Sequence, residues 1–302
     1  METVVIEEIS KRFGDKQAVA GVSFRVQAGE IFGLLGPNGA GKTTTIRMML
    51  DILRPDSGRI AVFGGPMTEQ KKDRIGYLPE ERGLYADVKL WDVILYMASL
   101  KGMNRPAAAA SAEDYLKRLD LWEHKDKKLN ALSRGMHQKA QFIVTVMHDP
   151  DLVIVDEPFS GLDPVNTELI RDILLDLRQR GKAIIMSTHQ MHQVDSICDQ
   201  IVLINEGQVV LSGTVNAVRR QFAGNTVEVS GQGDFAQLPQ VENAEHKNGV
   251  WRLTLTDETT PQSLLRTLAT RDDLQIEHYS IALPSLHEIF IHTVKAKRGE
   301  HV

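Results

Sequence analysis

The segment GPNGAGKT, residues 36–43, constrains the fold of this chain more than any other feature of its sequence. It follows the apolar run IFGLL, which predicts a buried strand, and it precedes TTIRMML, which has the character of a helix. Glycines at this spacing let successive backbone N–H groups point at phosphate oxygens, and the helix adds its positive N-terminal end. The sequence therefore predicts a phosphate-binding loop. A chance glycine-rich turn is the alternative, and the flanking strand and helix argue against it.

The phosphate-binding loop also supplies the predicted nucleotide contacts. Lys42 is expected to reach the terminal phosphates, and Thr43 is expected to ligate Mg²⁺ through its hydroxyl group. The predicted contacts in and directly after the loop are Gly36, Pro37, Asn38, Gly39, Ala40, Gly41, Lys42, Thr43 and Thr44.

A pair of carboxylates, Asp156 and Glu157, ends the hydrophobic segment DLVIVDEP. Such charges beside a buried strand are costly unless they meet a cation or a reacting water. We expect Asp156 to hold Mg²⁺ through water and Glu157 to polarise the water that attacks the γ-phosphate. His189 closes the strand candidate AIIMSTH, and we expect its imidazole to reach the same phosphate. Solvated acids are the alternative for the pair, which the phosphate-binding loop upstream disfavours, and a structural histidine is the alternative for His189, which its place at a strand end beyond the acidic pair disfavours.

The segment LSRGMHQK, residues 132–139, allows two interpretations when it is taken alone. Ser133 precedes the apolar run AQFIVTVM and is typical of the residue that caps a helix N-terminus. An ordinary helix start is therefore one interpretation, and a functional segment is the other. The remaining motifs of the chain decide between them.

The composition is that of an ordinary globular protein, with 42% hydrophobic and 25% charged residues. The formal net charge of −5 gives no sign of a broad nucleic-acid footprint, and the lone Cys198 excludes an intramolecular disulfide. The first residues, METVVIEEISKRFG, do not have the pattern of a signal peptide. No apolar run approaches the roughly 18 to 20 residues that a membrane span needs. If the protein works at a membrane, another component is expected to anchor it.

The order of segments along the chain predicts an α/β fold. The apolar strand candidates LVIVDEP, AIIMSTH and IVLINEG alternate with helical spans, which indicates a buried parallel sheet. A mainly helical part covers about residues 88–135. From about residue 223 the pattern changes to alternating strands such as GNTVEVSG and GVWRLTLTD. We therefore predict one domain over residues 1–222 and a small α+β domain over residues 223–302.

The motifs GPNGAGKTT, LSRGMHQ, DLVIVDEP, SGLD and STH occur in the order and at the intervals of the ATP-binding-cassette (ABC) family, and residues 1 to about 220 resemble that family. The resemblance implies a P-loop NTPase with a RecA-like core and a helical subdomain. LSRGMHQ resembles the family signature L-S-G-G-Q, with Ser133 and Gly135 retained but Arg134 and Met136 replacing Gly and Gln. In this family the signature contacts the nucleotide of a second chain.

The resemblance assigns three further positions. Phe13 occupies the place of the aromatic residue that stacks on adenine, with a packing role as the alternative. Asp163, in SGLD, belongs to the dimer-contact loop and helps to organise the partner's site. In IGYLPEERGLY, Glu80 stands where the family usually has the glutamine that senses Mg²⁺, and Glu81 is the alternative. A glutamate accepts from a metal-bound water but cannot donate as an amide does.

The family resemblance implies the ATPase subunit of an ABC transporter, working as a head-to-tail homodimer or heterodimer with two ATP molecules between the chains. An integral membrane permease, made as a separate chain, would hold it at the cytoplasmic face of the cell membrane. YLPEERGLY, together with PSLHEIF near the end of the chain, resembles a subgroup with a small C-terminal accessory domain that serves export-type permeases for sodium or antimicrobial compounds.

Two other function classes are less favoured. A soluble cassette ATPase acting on ribosomes or DNA usually carries two cassettes or long coiled-coil insertions, and this chain has one cassette and no heptad run. Residues 223–302 carry seven basic and eleven acidic side chains, which disfavours a nucleic-acid partner. A small-molecule phosphotransferase would need neither LSRGMHQ nor the SGLD loop.

Overall fold

The computed structural model describes residues 2–81, 83–271 and 273–298. The contacts within it divide the chain into two compact units, one ending at Thr214 and one beginning at Val215. Each unit has its own sheets and its own hydrophobic core. Among the described residues, no helix combines the length and the apolar character that a membrane crossing requires.

The first unit alternates strands and helices. Its strands are β1 (Glu2–Phe13), β2 (Lys16–Gln27), β3 (Ile31–Leu35), β4 (Ser57–Val62), β5 (Ile75–Leu78), β6 (Leu152–Asp156), β7 (Ala183–Thr188), β8 (Gln200–Asn205) and β9 (Gln208–Thr214). Its α-helices are α1 (Lys42–Met49), α2 (Glu69–Lys72), α3 (Leu90–Leu100), α4 (Arg105–Arg118), α5 (Arg134–Val146), α6 (Pro164–Gln179) and α7 (Met191–Val194), with short 3₁₀ turns at Trp122–His124 and Leu129–Ala131.

A six-stranded sheet in the order β5-β6-β7-β3-β8-β9 forms the centre of the first unit. Its first five strands are parallel, and β9 runs antiparallel to β8 at one edge. Every residue of β3, β6 and β7 is buried, because helices and a second sheet cover both faces. The predicted buried parallel sheet is therefore confirmed. Since parallel strands end at the same edge, the segments after β3, β6 and β7 are neighbours.

The second sheet of this unit is antiparallel, in the order β2-β1-β4. Alternate residues of β1 and β2, such as Val4, Ile6 and Val22, turn into the same core as Phe32 of β3 and Ile154 of β6. This shared core fixes the antiparallel sheet against the parallel one. The end of β1 thereby lies next to the phosphate-binding loop.

Helices α3 and α4 lie within residues 88–135, the part of the chain predicted to be mainly helical, and α5 begins at its end and continues to Val146. Asn104 begins α4, because its side-chain oxygen accepts a hydrogen bond from the N–H of Ala107 at 2.9 Å. Helix α5 buries Phe142 completely, and the hydroxyl of Thr145 donates to the carbonyl of Tyr77 in β5 at 3.4 Å. α5 thus connects the helical subdomain to the edge of the parallel sheet.

The second unit is an α+β structure. Its helices are α8 (Val215–Gln221), α9 (Pro261–Ala269) and α10 (Leu286–Arg298), and its strands are β10 (Thr226–Gln232), β11 (Val241–Lys247), β12 (Val250–Leu255) and β13 (Gln275–Ile281). The strands form one antiparallel sheet in the order β11-β12-β10-β13. Val227, Val229 and Leu253 of this sheet pack with Phe235 and with Leu264 of α9.

Helix α8 belongs to the second unit, although the sequence pattern places the boundary after it, at residue 223. The guanidinium group of Arg219 donates to the carbonyl oxygens of Pro284 and Leu283 at 2.9 and 3.2 Å. These partners are more than sixty positions away along the chain, so a local pattern does not reveal them. That the two parts fold independently stays a prediction, as does the division at residue 223.

We expect a chain truncated after Thr214 to fold, because every strand of both sheets of the first unit lies before that point. Circular dichroism and denaturant unfolding measure this, and a soluble product with one cooperative transition is the expected result. A chain truncated after Asn205 is the matched control: it loses β9, exposes the edge of β8 and should be clearly less stable. Equal instability of the two truncated chains would contradict the predicted independence.

Candidate functional site

The loop between β3 and α1 has a shape that only glycine permits at two positions. Gly36 and Gly41 have φ angles of 150° and 109°. A Cβ atom at Gly36 would lie 2.1 Å from the carbonyl oxygen of Ile204, and one at Gly41 would lie 2.4 Å from that of Ala18. The backbone of the loop therefore packs directly on neighbouring backbone and turns back over the start of α1.

Lys42 is the first residue of α1, and only 6% of its surface is exposed. Its ammonium group donates to the carbonyl oxygens of Gly36 at 2.8 Å and Pro37 at 3.1 Å. Burial lowers the pKa of Lys42, while the nearby Glu157 and other carboxylates oppose that change. The loop thus encloses a positive charge beside the N-terminus of a helix, which favours an anion.

Asp156 ends β6 and is almost completely buried, with 1% of its surface exposed. One carboxylate oxygen accepts from the hydroxyl of Thr43 at 3.0 Å, and the other accepts from the hydroxyl of Ser187 in β7. The structure therefore brings together two of the three residues predicted to lie at the metal, Thr43 and Asp156. The sequence interpretation did not include Ser187, although its position in the STH segment, two residues before His189, was an available signal.

Glu157 follows Asp156 and adopts a left-handed backbone conformation, with φ at 52°. Its carboxylate accepts from the hydroxyl of Thr188 at 3.1 Å and from the backbone N–H of His189 at 2.9 Å. The ring Nδ1 of His189 lies 2.7 Å from the same carboxylate. Because these contacts hold an otherwise unfavourable conformation, the Glu157 side chain has a defined direction.

Lys42, Thr43, Asp156 and Glu157 line one open pocket of about 310 Å³, whereas Ser187, Thr188 and His189 lie outside its wall in the described part of the chain. Its walls are formed by Phe13, Lys16, Ala18, Asn38, Gly39, Gly41, Lys42, Thr43, Thr44, Glu80, Asp156 and Glu157. The structure places Glu80 in this wall, whereas the backbone carbonyl of Glu81 accepts from the side-chain amide of Gln141 at 3.2 Å. Lys16 and Ala18 of β2 were missed by the sequence interpretation, because neither belongs to a recognisable motif.

Phe13 lies at the end of β1 with 48% of its surface exposed. It is therefore not a core residue, and one of its sides forms part of the pocket wall. An exposed aromatic ring beside a phosphate-binding loop is available for stacking on a flat ligand.

The signature candidates form the first turn of α5. The hydroxyl of Ser133 accepts from the N–H of Met136 at 3.3 Å, so Ser133 does cap this helix. Arg134, Gly135 and Met136 follow in the first turn. In the part of the chain that the structure describes, none of these four residues lines the pocket around Lys42.

Asp163 caps α6, because its carboxylate accepts from the backbone N–H of Asn166 at 2.9 Å and from its side-chain amide at 2.6 Å. These hydrogen bonds lower the pKa of Asp163. Like the signature candidates, Asp163 lies outside the residues that form the described pocket wall.

Comparison with known proteins adds to this geometry. Residues 19–160 match the model of the ABC transporter family, and residues 213–294 match the C-terminal domain of ATP-binding proteins like DrrA1-3. The uncharacterized ABC transporter ATP-binding protein YhaQ of Bacillus subtilis is 38% identical over 297 residues, which are 97% of this chain and 99% of the relative. The chain belongs to the ABC transporter ATP-binding proteins.

Two further similarities support the same assignment. The Nod factor export ATP-binding protein I of Burkholderia lata is 37% identical over 227 residues, 74% of this chain and 75% of the relative. A solved structure described as the ATP-binding subunit of an ABC transporter superposes with a TM-score of 0.69 and 28% identity. The superposition covers 73% of this chain and 93% of the solved chain.

The cassette fold and the ATP-hydrolysing function predicted from the sequence are therefore confirmed. The chain is an ATP-binding subunit of an ABC transporter, and such subunits act with a membrane permease and as dimers. None of these similarities points to a ribosome-associated or DNA-associated ATPase. The roles of single residues remain predictions.

We expect Phe13→Ala to weaken ATP binding about tenfold, because loss of a stacking ring typically costs this much. Phe13→Tyr keeps a ring and should bind ATP nearly as well as the wild type. Leu100→Ala is the matched control, since Leu100 is 61% exposed and lies on α3 outside the pocket wall. Titration calorimetry measures the affinities. Wild-type affinity in Phe13→Ala would show that the ring does not contact the nucleotide.

Proposed function

We propose that this subunit powers the export of a substrate through a separate permease, as one half of a head-to-tail dimer that binds two ATP molecules. The observation that carries the proposal is the division of the predicted site: the phosphate-binding loop and the two carboxylates share one pocket, and the signature residues lie outside it. A site of this kind is complete only when a second chain supplies its signature. The second chain is either another copy or a related subunit.

The export direction is supported by a relative that is named for Nod factor export. The permease would contribute the membrane-spanning segments and would hold the subunit at the cytoplasmic face of the cell membrane. Residues 223–302 carry more acidic than basic side chains, and this charge balance does not favour a nucleic-acid partner.

Binding of the terminal phosphates depends on charge and on backbone direction. The ammonium of Lys42 already donates to two loop carbonyls, so its position is fixed before ATP arrives. The N–H groups at the start of α1 add positive potential on the same side. Together they neutralise the charge that develops on the γ-phosphate during its transfer to water.

Glu157 acts as the general base in this proposal. Its carboxylate takes a proton from the attacking water while Thr188 and the backbone of His189 hold the side chain in place. The contact with Nδ1 leaves Nε2 as the other nitrogen of the His189 ring. We propose that Nε2 faces the γ-phosphate.

The oxygen atoms around Thr43 fit a magnesium ion. The Thr43 hydroxyl and the Asp156 carboxylate are 3.0 Å apart, and Glu80 lies in the same pocket wall. Hydroxyl and carboxylate oxygens are the ligands that Mg²⁺ prefers, directly or through water. When bound with ATP, Mg²⁺ would neutralise phosphate charge. We propose that Thr43 ligates it directly and that Asp156 and Glu80 contact its water molecules.

We expect Glu157→Gln to bind ATP but to lower turnover by about 100-fold or more, because the amide cannot take the proton. The variant should accumulate as a dimer with ATP bound, which gel filtration with MgATP detects. Glu81→Gln is the matched control, since Glu81 lies outside the pocket wall, and its turnover should stay near the wild-type value. A monomeric, active Glu157→Gln variant would contradict the role of Glu157 as the base.

The composite site is tested by mixing two inactive variants. Gly135→Asp places a carboxylate against the partner's phosphate, and Lys42→Ala removes the loop ammonium. A Cβ atom at Gly135 would lie 3.4 Å from its nearest neighbour, which is ordinary van der Waals contact. In the heterodimer one site carries both changes and the other carries neither. We therefore expect phosphate release to return partly as one variant is titrated into the other.

Co-purification of two differently tagged chains shows in the same experiment that heterodimers have formed. A helix cap that acts only within its own chain predicts no rescue, since each chain keeps its own defect. Background phosphate release at every mixing ratio, with heterodimers present, would therefore overturn the composite site.

A further inference from the structure

Two buried polar side chains of α5 contact the segment that follows Glu157. Gln138 and Lys139 are each only 5% exposed. The side-chain amide of Gln138 donates to the carbonyl of Pro158 at 3.2 Å, and the ammonium of Lys139 donates to the side-chain oxygen of Asn166 at 2.7 Å. The signature helix is thus connected at two points to the chain that follows the carboxylate pair, once before α6 and once in the first turn of α6.

The Lys139 contact continues to Asp163. Asn166 accepts from Lys139 through its side-chain oxygen and donates from its side-chain nitrogen to Asp163 at 2.6 Å. The backbone N–H of Asn166 donates to the second oxygen of Asp163 at 2.9 Å. Lys139, Asn166 and Asp163 therefore form a chain of hydrogen bonds with a cation at one end and a carboxylate at the other. We call it the Lys139 relay.

The SGLD loop, residues 160–163, also packs on the first turn of α5. A Cβ atom placed at Gly135 would lie 3.4 Å from a methyl carbon of Leu162 and 3.8 Å from the carbonyl oxygen of Gly161. The loop and the helix start are therefore in van der Waals range of each other. The Lys139 relay joins the same two elements one turn further along α5.

A buried lysine is a costly way to obtain stability alone. Burial lowers the pKa of Lys139, and Asp120 and Asp163 oppose this only in part. An apolar side chain of similar length would fill the same space without desolvating a charge. A charged donor at this position is better explained by the fixed direction that a charge-assisted hydrogen bond gives to both of its partners.

We infer that Lys139 is a positioning residue: through Asn166 and Asp163 it holds the first turn of α5 and the SGLD loop in one fixed arrangement, so that both reach the nucleotide of the partner chain together. The inference rests on the proposed composite site, because only there do these two elements act on the same ATP. It assigns to Lys139 no direct contact with nucleotide.

Four variants test the Lys139 relay: Lys139→Met, Lys139→Arg, Asn166→Leu and the Lys139→Met/Asn166→Leu double variant. We expect Lys139→Met to lower kcat about tenfold. The Kd for ATP should change by less than about twofold, because the phosphate-binding loop of the variant chain is unaltered. The double variant should be about as slow as either single variant, since each breaks the same connection. Lys139→Arg keeps a charged donor and should restore most of the rate.

Lys117→Met is the matched control. Lys117 also donates to a side-chain oxygen, that of Glu113 at 2.6 Å, but the pair is exposed on α4. Its kcat should equal that of the wild type. Thermal unfolding of all variants separates stability from rate. A lower melting temperature with wild-type kcat in Lys139→Met would make the role purely structural and would overturn the inference.

The position of the defect is tested in purified heterodimers that carry two different tags. In the first heterodimer one chain carries Lys42→Ala and the other carries Lys139→Met. The surviving site, which is the one with an intact Lys42, is faced by the unaltered α5 of the Lys42→Ala chain. Its rate should equal that of a Lys42→Ala/wild-type heterodimer. When one chain carries both changes and the other is wild type, the surviving site is faced by the altered α5. Its rate should then be about tenfold lower.

Each outcome separates this inference from the composite site itself. Rescue in the Gly135→Asp and Lys42→Ala mixture, combined with the order of rates just given, supports both. Rescue in that mixture, combined with equal rates or the reverse order in the heterodimers that carry Lys139→Met, overturns the Lys139 relay alone. Absence of rescue in that mixture overturns the composite site on which the Lys139 relay depends.

Discussion

The hydrogen bond between Thr43 and Asp156 is the contact on which the site depends. It joins two residues that are 113 positions apart, one at the start of α1 and one at the end of β6. Strands β3 and β6 are not neighbours, because β7 lies between them. The bond therefore crosses the end of β7, and Ser187 of that strand supplies the second donor to Asp156. Three parallel strands must end at the same level before this arrangement can form.

The same strand order explains why the buried charges are tolerated. Lys42, Asp156 and Glu157 are each less than 10% exposed, and isolated buried charges are strongly unfavourable. Each has polar partners: two carbonyls for Lys42, two hydroxyls for Asp156, and one hydroxyl with the His189 backbone and ring for Glu157. The protein therefore holds these charges in position through its own hydrogen bonds, so the proposed polyphosphate site needs little rearrangement.

The sequence alone predicted the phosphate-binding loop, the carboxylate pair and the parallel sheet, because each is a local pattern with a strict physical cause. Loop glycines are required where a Cβ would meet backbone, as at Gly36. Contacts such as those of Ser187, Lys16 and Lys139 were not predicted, since they follow from which strands and helices become neighbours. The membership of α8 in the second unit was missed for the same reason, because the partners of Arg219 are distant in the chain.

The two interpretations of LSRGMHQK turn out to describe the same physical feature. Ser133 caps the helix by accepting from one first-turn N–H, that of Met136, and the other N–H groups at a helix start are the ones that can bind an anion. The first turn of α5 carries Arg134 and no acidic residue, although a helix N-terminus by itself favours a negative charge there by about 0.3–1 kcal/mol. This small cost is offset if a phosphate of the partner's ATP faces the turn. Arg134, which departs from the usual signature, then adds positive potential toward that phosphate. The departure therefore fits a signature that binds nucleotide.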